Sequence, residues 1–529
     1  MKKSDYIFLF IFALLCLSIN FIFQKTPGYL DSEYYFLGGK YLSQGQLEAP
    51  FIWNYLDDPK VLPHDLFTYW MPLPSVFTMI PIWIFKNDSF IIGRLLFWFL
   101  AAGISPLTAL ISYSVNKNKF SAYLSALLSI FCGYYFKFLT IPESVTIYIF
   151  FGAVFFFLFN KLLESNGNKE KLFASAILGI LAGVLHLSRV DGIIFFGIFI
   201  IYVFTAGIIS IKQKKDTFLN LILRSIVFIT CYLLITCCWY IRNLELYYGL
   251  FSPASSRVIW IANYDDTYLF PSSHLTFEYW IQNGFPVKGM QIWNAFKNNI
   301  GSFLAVQLGI IGIPLFFFSS RNNLGKRIFK IPIFYFVIIF LLMTFVFSES
   351  GSRGGYLHSM AAIQIYFWIL ISDGLSRFIK WGMEKRDWKL KRAQIMFGSA
   401  LIVFYFLLTI FIYQRDVIGS SIQTTLWDKE ANEFVKIEKQ IQLRTVDKDQ
   451  VVMINDPVGY HLATDRWSIV IPSAKWNDLK VLLDKFDVRF IVLDQNLPVQ
   501  MKSQDQWISH LNLSEIYRDP GGKILYEIH

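Results

Sequence analysis

The sequence has little charge for its length, and this excludes an ordinary soluble protein. Only 16% of its 529 residues are Asp, Glu, Lys or Arg, whereas 55% are apolar and 18% are aromatic. A soluble globular domain usually carries about 25% charged residues. Almost uncharged stretches of about 20 residues recur along the chain, and a helix of that length crosses about 30 Å of hydrocarbon. The composition therefore predicts a protein that crosses a membrane many times.

Cysteine is also scarce, which excludes a disulfide scaffold and a zinc-binding module. The chain has five cysteines, and each lies inside an apolar stretch: Cys16, Cys132, Cys231, Cys237 and Cys238. In such surroundings a thiol behaves as a small apolar side chain. The spacing matches no zinc motif either.

The net charge of +10 comes from basic residues that cluster in short loops between apolar stretches. These residues are Lys117 and Lys119, Lys169 and Lys171, Lys212 with Lys214 and Lys215, Arg321 with Lys326, Arg327 and Lys330, and the run 380–392. Short loops rich in Lys and Arg are typical of the cytoplasmic side of a membrane protein. The charge thus indicates topology and contact with membrane lipids, and no nucleic acid partner is expected.

With these loops inside, the pattern predicts about eleven transmembrane helices, with about thirteen as the upper limit. The predicted spans are 6–24, 91–113, 120–139, 143–162, 172–188, 192–211, 221–240, 300–319, 330–348, 357–377 and 396–414. The first follows Lys2-Lys3 and resembles a signal peptide, but it lacks a cleavage motif, so we expect it to be retained. Segment 69–85 carries three prolines and is predicted to be interfacial or re-entrant, because a further crossing would invert every later loop.

A cytoplasmic N-terminus then places loops 25–68 and 241–299 and the C-terminal tail on the outer side. We expect two domains: an all-α membrane domain over 1–415 and a small extracytoplasmic α/β domain over 416–529. In the second domain the pattern predicts helices and strands in alternation. The helices are 427–441 and 476–486, and the strands are 451–454, 468–471, 489–493 and 523–528.

Ionisable residues at membrane depth are costly and are therefore candidates for function. In this topology they all lie at the outer ends of spans. They are Asp31 and Glu33 after the first span, Arg94, Glu143, Arg189 with Asp191, Arg242, and Arg353 with His358. Their common side predicts one polar cavity that opens outward.

The two signs of charge in that cavity suit transfer of a sugar from a lipid phosphate. A carboxylate can accept the proton of an incoming hydroxyl or amine. Arginine holds a departing phosphate with a planar, permanently charged group. The aromatic residues Tyr34, Tyr35, Trp53 and Trp70 lie near Asp31 in sequence and suit stacking on a sugar ring.

The segment Asp31-Ser-Glu-Tyr-Tyr-Phe-Leu-Gly-Gly-Lys-Tyr-Leu-Ser-Gln-Gly45 resembles the acidic motif after the first span of GT-C superfamily glycosyltransferases. The similarity is to the members related to protein O-mannosyltransferases and the lipid A aminoarabinose transferase. Gly93-Arg94, Pro142-Glu143 and the turn His186 to Gly192 are similar to later motifs of that superfamily. Met71-Pro72-Leu-Pro74 departs from its usual adjacent prolines, which leaves the type of acceptor open.

The resemblance implies a GT-C-like fold over about 1–415 and an inverting transferase with Asp31 as the base. It implies a polyprenyl-phosphate-linked sugar as donor and a lipid, glycan or protein acceptor on the outer surface. Glu33 is assigned to the catalytic site with Asp31, and Glu143 is a second acidic position. Arg94, Arg189, Arg353 and His358 are candidates for binding the donor phosphate. No cofactor is certain; a divalent cation is left open, with Asp57 and Asp58 as weak candidates.

Other readings of these residues remain open. Asp31 could cap the helix predicted to begin near Ser32, and Glu33 could support the helix dipole. Arg94 could be a structural or interfacial residue, and Arg242 an interfacial anchor. At the level of the whole protein, the alternatives are a transporter or lipid flippase and a non-catalytic scaffold. Because eukaryotic retention signals and outer disulfides are missing, a prokaryotic plasma membrane is expected.

Overall fold

The computed structural model describes residues 1–213, 217–501 and 504–529, so Lys214 and Lys215 of the predicted basic loops lie outside the described residues. The chain divides into two compact units. The first, here called the membrane unit, comprises 1–20, 94–245 and 292–415. The second, the loop unit, comprises 21–93, 246–291 and 416–529.

Eight helices among the described residues are long and apolar enough to cross a membrane, so the chain is an integral membrane protein. They are Lys3–Phe23, Phe90–Asn116, Ser144–Glu164, Asn168–Ser188, Phe218–Tyr247, Arg327–Val346, Ser348–Arg386 and Leu390–Ile418. Each coincides with a predicted span. The predicted span 300–319 is a pair of helices, Gly284–Gln307 and Gly312–Arg321, bent by 93°. The remaining two predicted spans correspond to shorter apolar helices, Lys119–Ile130 and Val190–Thr205.

Small residues let two of the membrane helices approach closely. Gly179 and Gly183 form a Gly-x-x-x-Gly pattern on helix Asn168–Ser188. A methyl group added to Gly179 would lie 2.3 Å from the backbone oxygen of Phe228. One added to Gly183 would lie 2.7 Å from Cβ of Ile235. This is the close packing that such a pattern favours between helices in lipid, where apolar side chains alone give little attraction.

In the loop unit, a helix from the first predicted outer loop packs on a second helix that follows this loop. Leu30–Ser43, here called the Asp31 helix, lies against the 13-residue helix Leu73–Phe85. The contact is tight because a Cβ on Gly39 would lie 2.5 Å from Cβ of Thr78. Helix Leu73–Phe85 falls in the segment predicted to be interfacial. At 1.5 Å per residue it is about 20 Å long, shorter than the roughly 30 Å of hydrocarbon.

Eight short strands complete the described part of the loop unit. They are β1 (Glu48–Ala49), β2 (Phe51–Ile52), β3 (His64–Asp65), β4 (Val451–Met453), β5 (Ser468–Ile469), β6 (Val488–Leu493), β7 (Leu513–Arg518) and β8 (Ile524–Ile528). β1 pairs with β3, and the other six form one sheet in the order β2-β5-β4-β6-β8-β7. The pairs from β2 to β6 are parallel, and β8 is antiparallel to its two neighbours.

The C-terminal segment has the predicted α/β pattern, with helices Lys429–Gln442 and Trp476–Lys485 near their predicted positions. The sequence pattern did not predict helix Pro457–Thr464, helix Gln504–Leu511 or strand β7. The edge strand β2 comes from the first predicted outer loop, and Leu269 of the second forms a single bridge with Ser473. The sheet is therefore built from segments far apart in sequence.

Candidate functional site

Asp31 lies in the first turn of its helix. The helix begins at Leu30, and its N-cap is Tyr29, which makes no side-chain capping bond. The alternative in which Asp31 caps a helix beginning near Ser32 was therefore wrong by two residues. A carboxylate in the first turn faces the positive end of the helix dipole. Asp31 is half-buried.

Glu33 is nearly enclosed, with 7% of its surface exposed. Its side chain meets that of Asp456, the N-cap of helix Pro457–Thr464. Burial, together with the charge of Asp456, raises the pKa of Glu33 well above its usual value. Burial, with a further contribution from Glu430, raises the pKa of Asp456 to about 6. Two ionised carboxylates so close together repel each other, which favours a proton on one of them.

The aromatic residues near the Asp31 helix pack on one another. The ring planes of Trp53 and Trp70 are stacked with centroids 4.0 Å apart, and Tyr34 meets Trp70 at 4.9 Å. Tyr34, Tyr35 and Trp53 are buried. The described geometry therefore gives these rings a packing role. They leave less ring surface open to a sugar than we expected from the sequence.

The acidic pair Asp57-Asp58 is engaged by neighbouring side chains. Oδ2 of Asp57 lies 2.9 Å from Nε2 of His64, and Oδ2 of Asp58 lies 2.7 Å from Nη1 of Arg257. Asp58 also accepts hydrogen bonds from the backbone and hydroxyl of Ser272. Within 1–213, 217–501 and 504–529, no three His, Cys, Asp or Glu residues are grouped to hold a metal ion. The surroundings of Asp57 and Asp58 therefore do not fit a cation site.

In the membrane unit, Glu143 and His358 come together. Glu143 is the N-cap of helix Ser144–Glu164 and is 1% exposed. Its Oε1 accepts hydrogen bonds of 2.6 Å from the backbone and hydroxyl of Ser144, and lies 3.4 Å from Nδ1 of His358. The acidic position predicted from the turn after Pro142 thus faces a residue predicted to bind phosphate.

Arg189 lies near the same helix. Nε of Arg189 is 2.9 Å from Oδ1 of Asp191, and its guanidinium lies 5.9 Å from the ring centre of Tyr148. Tyr148 lies on the helix that Glu143 caps. The membrane unit therefore brings Glu143, His358 and Arg189 to one helix.

Arg353 lies in a break of the long helical segment Ser348–Arg386. Residues Gly351–Gly355 form one π-helical turn, in which Gly354 has a φ of +136°. A side chain would be strained there, and glycine adopts this conformation freely. π-Turns of this kind occur frequently at functional sites. The turn places Arg353 five residues before His358 in the same helical segment.

Arg94 is fully enclosed, with 0% of its surface exposed. Nε donates to the carbonyl of Thr140 at 2.9 Å, Nη2 donates to the hydroxyl of Thr140 at 2.6 Å, and Nη1 donates to the carbonyl of Asn20 at 3.4 Å. These contacts join three separate segments of the membrane unit. They give Arg94 a structural role, while phosphate binding by Arg94 stays a prediction.

Two charged residues, Asp456 and Lys137, were not among the candidates predicted from the sequence. Asp456 lies in a polar segment where a carboxylate is ordinary, and only the fold brings it to Glu33. Lys137 is 8% exposed and lies 4.4 Å from the ring centre of Tyr134. It stands inside a predicted span, so the rule applied to the other intramembrane charges could have found it.

No family model matches the sequence, and no curated protein matches it. Solved structures do match. ArnT from Cupriavidus metallidurans in the apo state covers 100% of this chain and 98% of its own, with 10% identity and a TM-score of 0.57. The same protein bound to undecaprenyl phosphate covers 99% and 98%, with 9% identity and a TM-score of 0.56.

The archaeal oligosaccharyltransferase AglB from Archaeoglobus fulgidus is also similar. In complex with an inhibitory peptide and a dolichol-phosphate, it matches 100% of this chain and 74% of its own length, with 13% identity and a TM-score of 0.55. Another AglB structure contains Zn and sulfate. Because ArnT and AglB are both GT-C membrane glycosyltransferases, the chain has the GT-C fold.

Proposed function

We propose that this protein is an inverting glycosyltransferase that moves a sugar from a polyprenyl-phosphate donor to an acceptor on the outer face of the membrane. The acceptor is a lipid, a glycan or a protein. The observation that carries the proposal is the agreement in fold, over nearly the whole length of both chains, with ArnT bound to undecaprenyl phosphate. A prokaryotic plasma membrane with a cytoplasmic N-terminus is part of the proposal.

In the proposed reaction Asp31 is the base. Its carboxylate accepts the proton of the acceptor hydroxyl or amine as that group forms a bond to the anomeric carbon of the sugar. The bond between the anomeric carbon and the phosphate oxygen breaks, and its electron pair leaves with the polyprenyl phosphate. One displacement of this kind inverts the configuration of the sugar and needs no covalent enzyme intermediate.

The proposal assigns the leaving phosphate to Arg353, with His358 and Arg189 as supporting groups. Arg353 lies in a glycine-rich π-turn, where backbone and guanidinium can approach a ligand closely. Negative charge grows on the phosphate oxygen in the transition state, and preorganised cationic groups stabilise that charge. Glu143, 3.4 Å from His358, keeps the imidazole oriented.

The test uses purified full-length protein with a panel of radiolabelled undecaprenyl-phosphate hexoses and pentoses. Release of undecaprenyl phosphate is measured for the parent protein, for Asp31→Asn and for the matched control Asp449→Asn, an exposed carboxylate of the same unit. We expect release by the parent and the control, and a loss of at least about 100-fold in Asp31→Asn, the usual contribution of a positioned base.

Two outcomes would contradict this proposal. Unchanged turnover in Asp31→Asn would remove the assignment of the base. If reconstituted vesicles translocate a lipid or solute while no sugar donor is consumed, the protein is a transporter or flippase.

A further inference from the structure

A pair of carboxyl groups links the Asp31 helix to the C-terminal segment inside the loop unit. A Cβ built on Gly459 would lie 2.4 Å from Oδ2 of Asp456 and 2.8 Å from Oε2 of Glu33. The two oxygens therefore converge on one small space, which the missing side chain of Gly459 leaves open. Oε2 of Glu33 is buried, and among the described residues it meets no N–H or O–H donor. An ionised carboxylate only accepts hydrogen bonds, so the two groups can hydrogen-bond to each other only when one of them carries a proton.

The surroundings of the pair favour keeping that proton. Glu430 adds negative charge near both groups, and Asp31 adds negative charge near Glu33. Lys523 is the nearby cation, but it is engaged by Glu430 at 3.0 Å and by Glu433 at 2.9 Å. The charge facing the pair is thus more negative than positive, which opposes ionisation of both carboxyls.

The other titratable groups where the two helices meet are already satisfied. Nδ1 of His461 donates to the carbonyl of Arg466 at 2.9 Å, and its Nε2 is 2.5 Å from the hydroxyl of Tyr41. Burial lowers the pKa of His461, which keeps the ring neutral. Lys40 pairs with Asp88 at 3.0 Å. None of these groups offers a charge that would replace the shared proton.

The same carboxyl group of Asp456 also caps helix Pro457–Thr464. Its Oδ1 accepts a hydrogen bond of 3.0 Å from the backbone N–H of Gly459. Asp456 is thereby fixed to its own helix while it holds Glu33, which stands two residues after Asp31 on the facing helix. Holding Glu33 thus constrains the first turn of the Asp31 helix.

We propose that Asp456 is a positioning residue for Asp31: it holds Glu33 through a hydrogen bond that needs one proton between the two carboxyl groups. When both groups are ionised, they repel and the Asp31 helix loses this support. The role of Glu33 is then to orient the helix, and Asp31 alone serves as base. The proposal rests on the proposed function for the identity of the base, but the proton-dependent contact is a property of the fold itself.

Two substitutions of Asp456 distinguish its role as helix cap from its contact with Glu33. Asp456→Asn keeps the cap, and its amide can donate to the ionised Glu33, so the contact no longer needs a shared proton. Asp456→Ser also caps the helix but is too short to reach Glu33. Asp449→Asn removes an exposed carboxylate of the same segment and serves as control.

The first measurement is hydrogen exchange of the full-length protein between pH 5 and pH 9, expressed as protection factors of residues 30–43. We expect protection to fall with rising pH in the parent and in Asp449→Asn. It should stay constant in Asp456→Asn, and it should be low at every pH in Asp456→Ser. Protection that is independent of pH in the parent, or unchanged by Asp456→Ser, overturns the proposal.

The second measurement is release of undecaprenyl phosphate from the donor that the panel identifies, over the same pH range. We expect kcat of the parent to fall by about tenfold on the alkaline side, the factor for loss of one strong hydrogen bond, with little change in KM. This decline should be absent in Asp456→Asn. If the protection factors depend on pH as expected but kcat does not, the positioning role of Asp456 is overturned. If exchange behaves as expected but no donor is consumed, the proposed function fails and the proton-dependent contact stands.

Discussion

Arg94 is the most enclosed of the candidate phosphate-binding residues, and its hydrogen bonds run to Thr140 and Asn20. We expect Arg94→Met to destabilise the membrane unit by about 2–4 kcal/mol, because each buried acceptor left without a donor costs about 1–3 kcal/mol. The measurement is the midpoint of thermal unfolding in detergent. Arg392→Met, which removes an exposed arginine from helix Leu390–Tyr413, is the control and should change the midpoint little. Equal midpoints for the two variants would favour phosphate binding by Arg94.

Arg353 is expected to act on the transition state. Arg353→Ala should lower kcat by about 10²–10³, as the loss of one preorganised donor does elsewhere, with a smaller change in KM. Arg353→Lys should recover only part of the rate, because an ammonium lacks the planar fork. Steady-state release of undecaprenyl phosphate checks both variants. A large rise in KM at constant kcat would show that Arg353 contributes to ground-state binding instead.

Candidate functional residues could be predicted where a charged side chain lies in an apolar stretch of sequence. Glu143, Arg189 and His358 stand out because charge is rare in apolar sequence, and the structure brings them to one helix. Asp456 gives no such signal, since a carboxylate before proline reads as a turn. Its pairing with Glu33 depends on the tertiary fold. The same holds for Trp53 and Trp70, because no sequence pattern predicts that their rings stack on each other.

At the scale of elements, the Asp31 helix and helix Leu73–Phe85 depend on glycine at their contact. Gly39→Ala should destabilise the loop unit by about 1–3 kcal/mol, the usual cost of overpacking, because the new Cβ would lie 2.5 Å from Thr78. Gly289→Ala is the matched control: it is helical and has nothing within 4 Å of its built Cβ. That variant should be neutral or more stable by up to about 1 kcal/mol. Thermal unfolding compares the two, and equal effects would contradict the close contact.

The Glu33–Asp456 pair makes stability depend on pH in a defined direction. The pKa values of both groups in the folded protein lie above their ordinary values of 4.5 and 3.8. Their contribution is therefore complete below about pH 4, and it is lost as pH rises through about 6 for Asp456 and through the raised pKa of Glu33. Each proton contributes a slope of up to about 1.4 kcal/mol per pH unit.

Thermal unfolding between pH 5 and pH 8 checks this linkage. The midpoint of the parent should fall as pH rises, and the fall should be smaller in Asp456→Asn, which lacks one of the two ionisations. Asp449→Asn should keep the slope of the parent. Equal slopes in the parent and in Asp456→Asn would show that the pair does not share a proton.

Long apolar helices were predicted well, because hydrophobic length alone defines them in a membrane protein. Short elements were not. Strand β2 has only two residues, and it is a strand only because it pairs with β5. Helix Pro457–Thr464 begins with Asp456-Pro457, which fits a turn as well as an N-cap followed by proline at the first position. The bend of 93° between Gly284–Gln307 and Gly312–Arg321 likewise leaves no clear trace in hydropathy.

At the scale of the whole molecule, the loop unit gathers 21–93, 246–291 and 416–529. Composition and hydropathy describe each of these segments alone, because they carry no information on which distant segments pair. The sheet that takes strand β2 from the first of them is the clearest case. The division into domains at 415 and 416 therefore stays a prediction, while the GT-C fold predicted from short motifs agrees with ArnT and AglB over nearly all of this chain.

The orientation of the chain depends on helix Leu73–Phe85. At about 20 Å it is too short to cross about 30 Å of hydrocarbon, and its end exposes Trp83, Ile84 and Phe85, as a helix resting in a membrane interface would. We expect Ser89 to lie outside and Lys119 to lie in the cytoplasm. Ser89→Cys and Lys119→Cys are to be made in a variant without the five native cysteines and labelled in intact cells with a membrane-impermeant maleimide.

Position 119 is chosen because Asn118 caps helix Lys119–Ile130 and Lys117 has a positive φ, whereas Lys119 is exposed and free of both constraints. Labelling at 89 without labelling at 119 places the helix at the interface. The reverse pattern would make Leu73–Phe85 a true crossing, and every later basic loop would then lie outside. That result would also move Glu143, Arg353 and His358 to the cytoplasmic side, so an outward-facing reaction with these residues requires the first pattern.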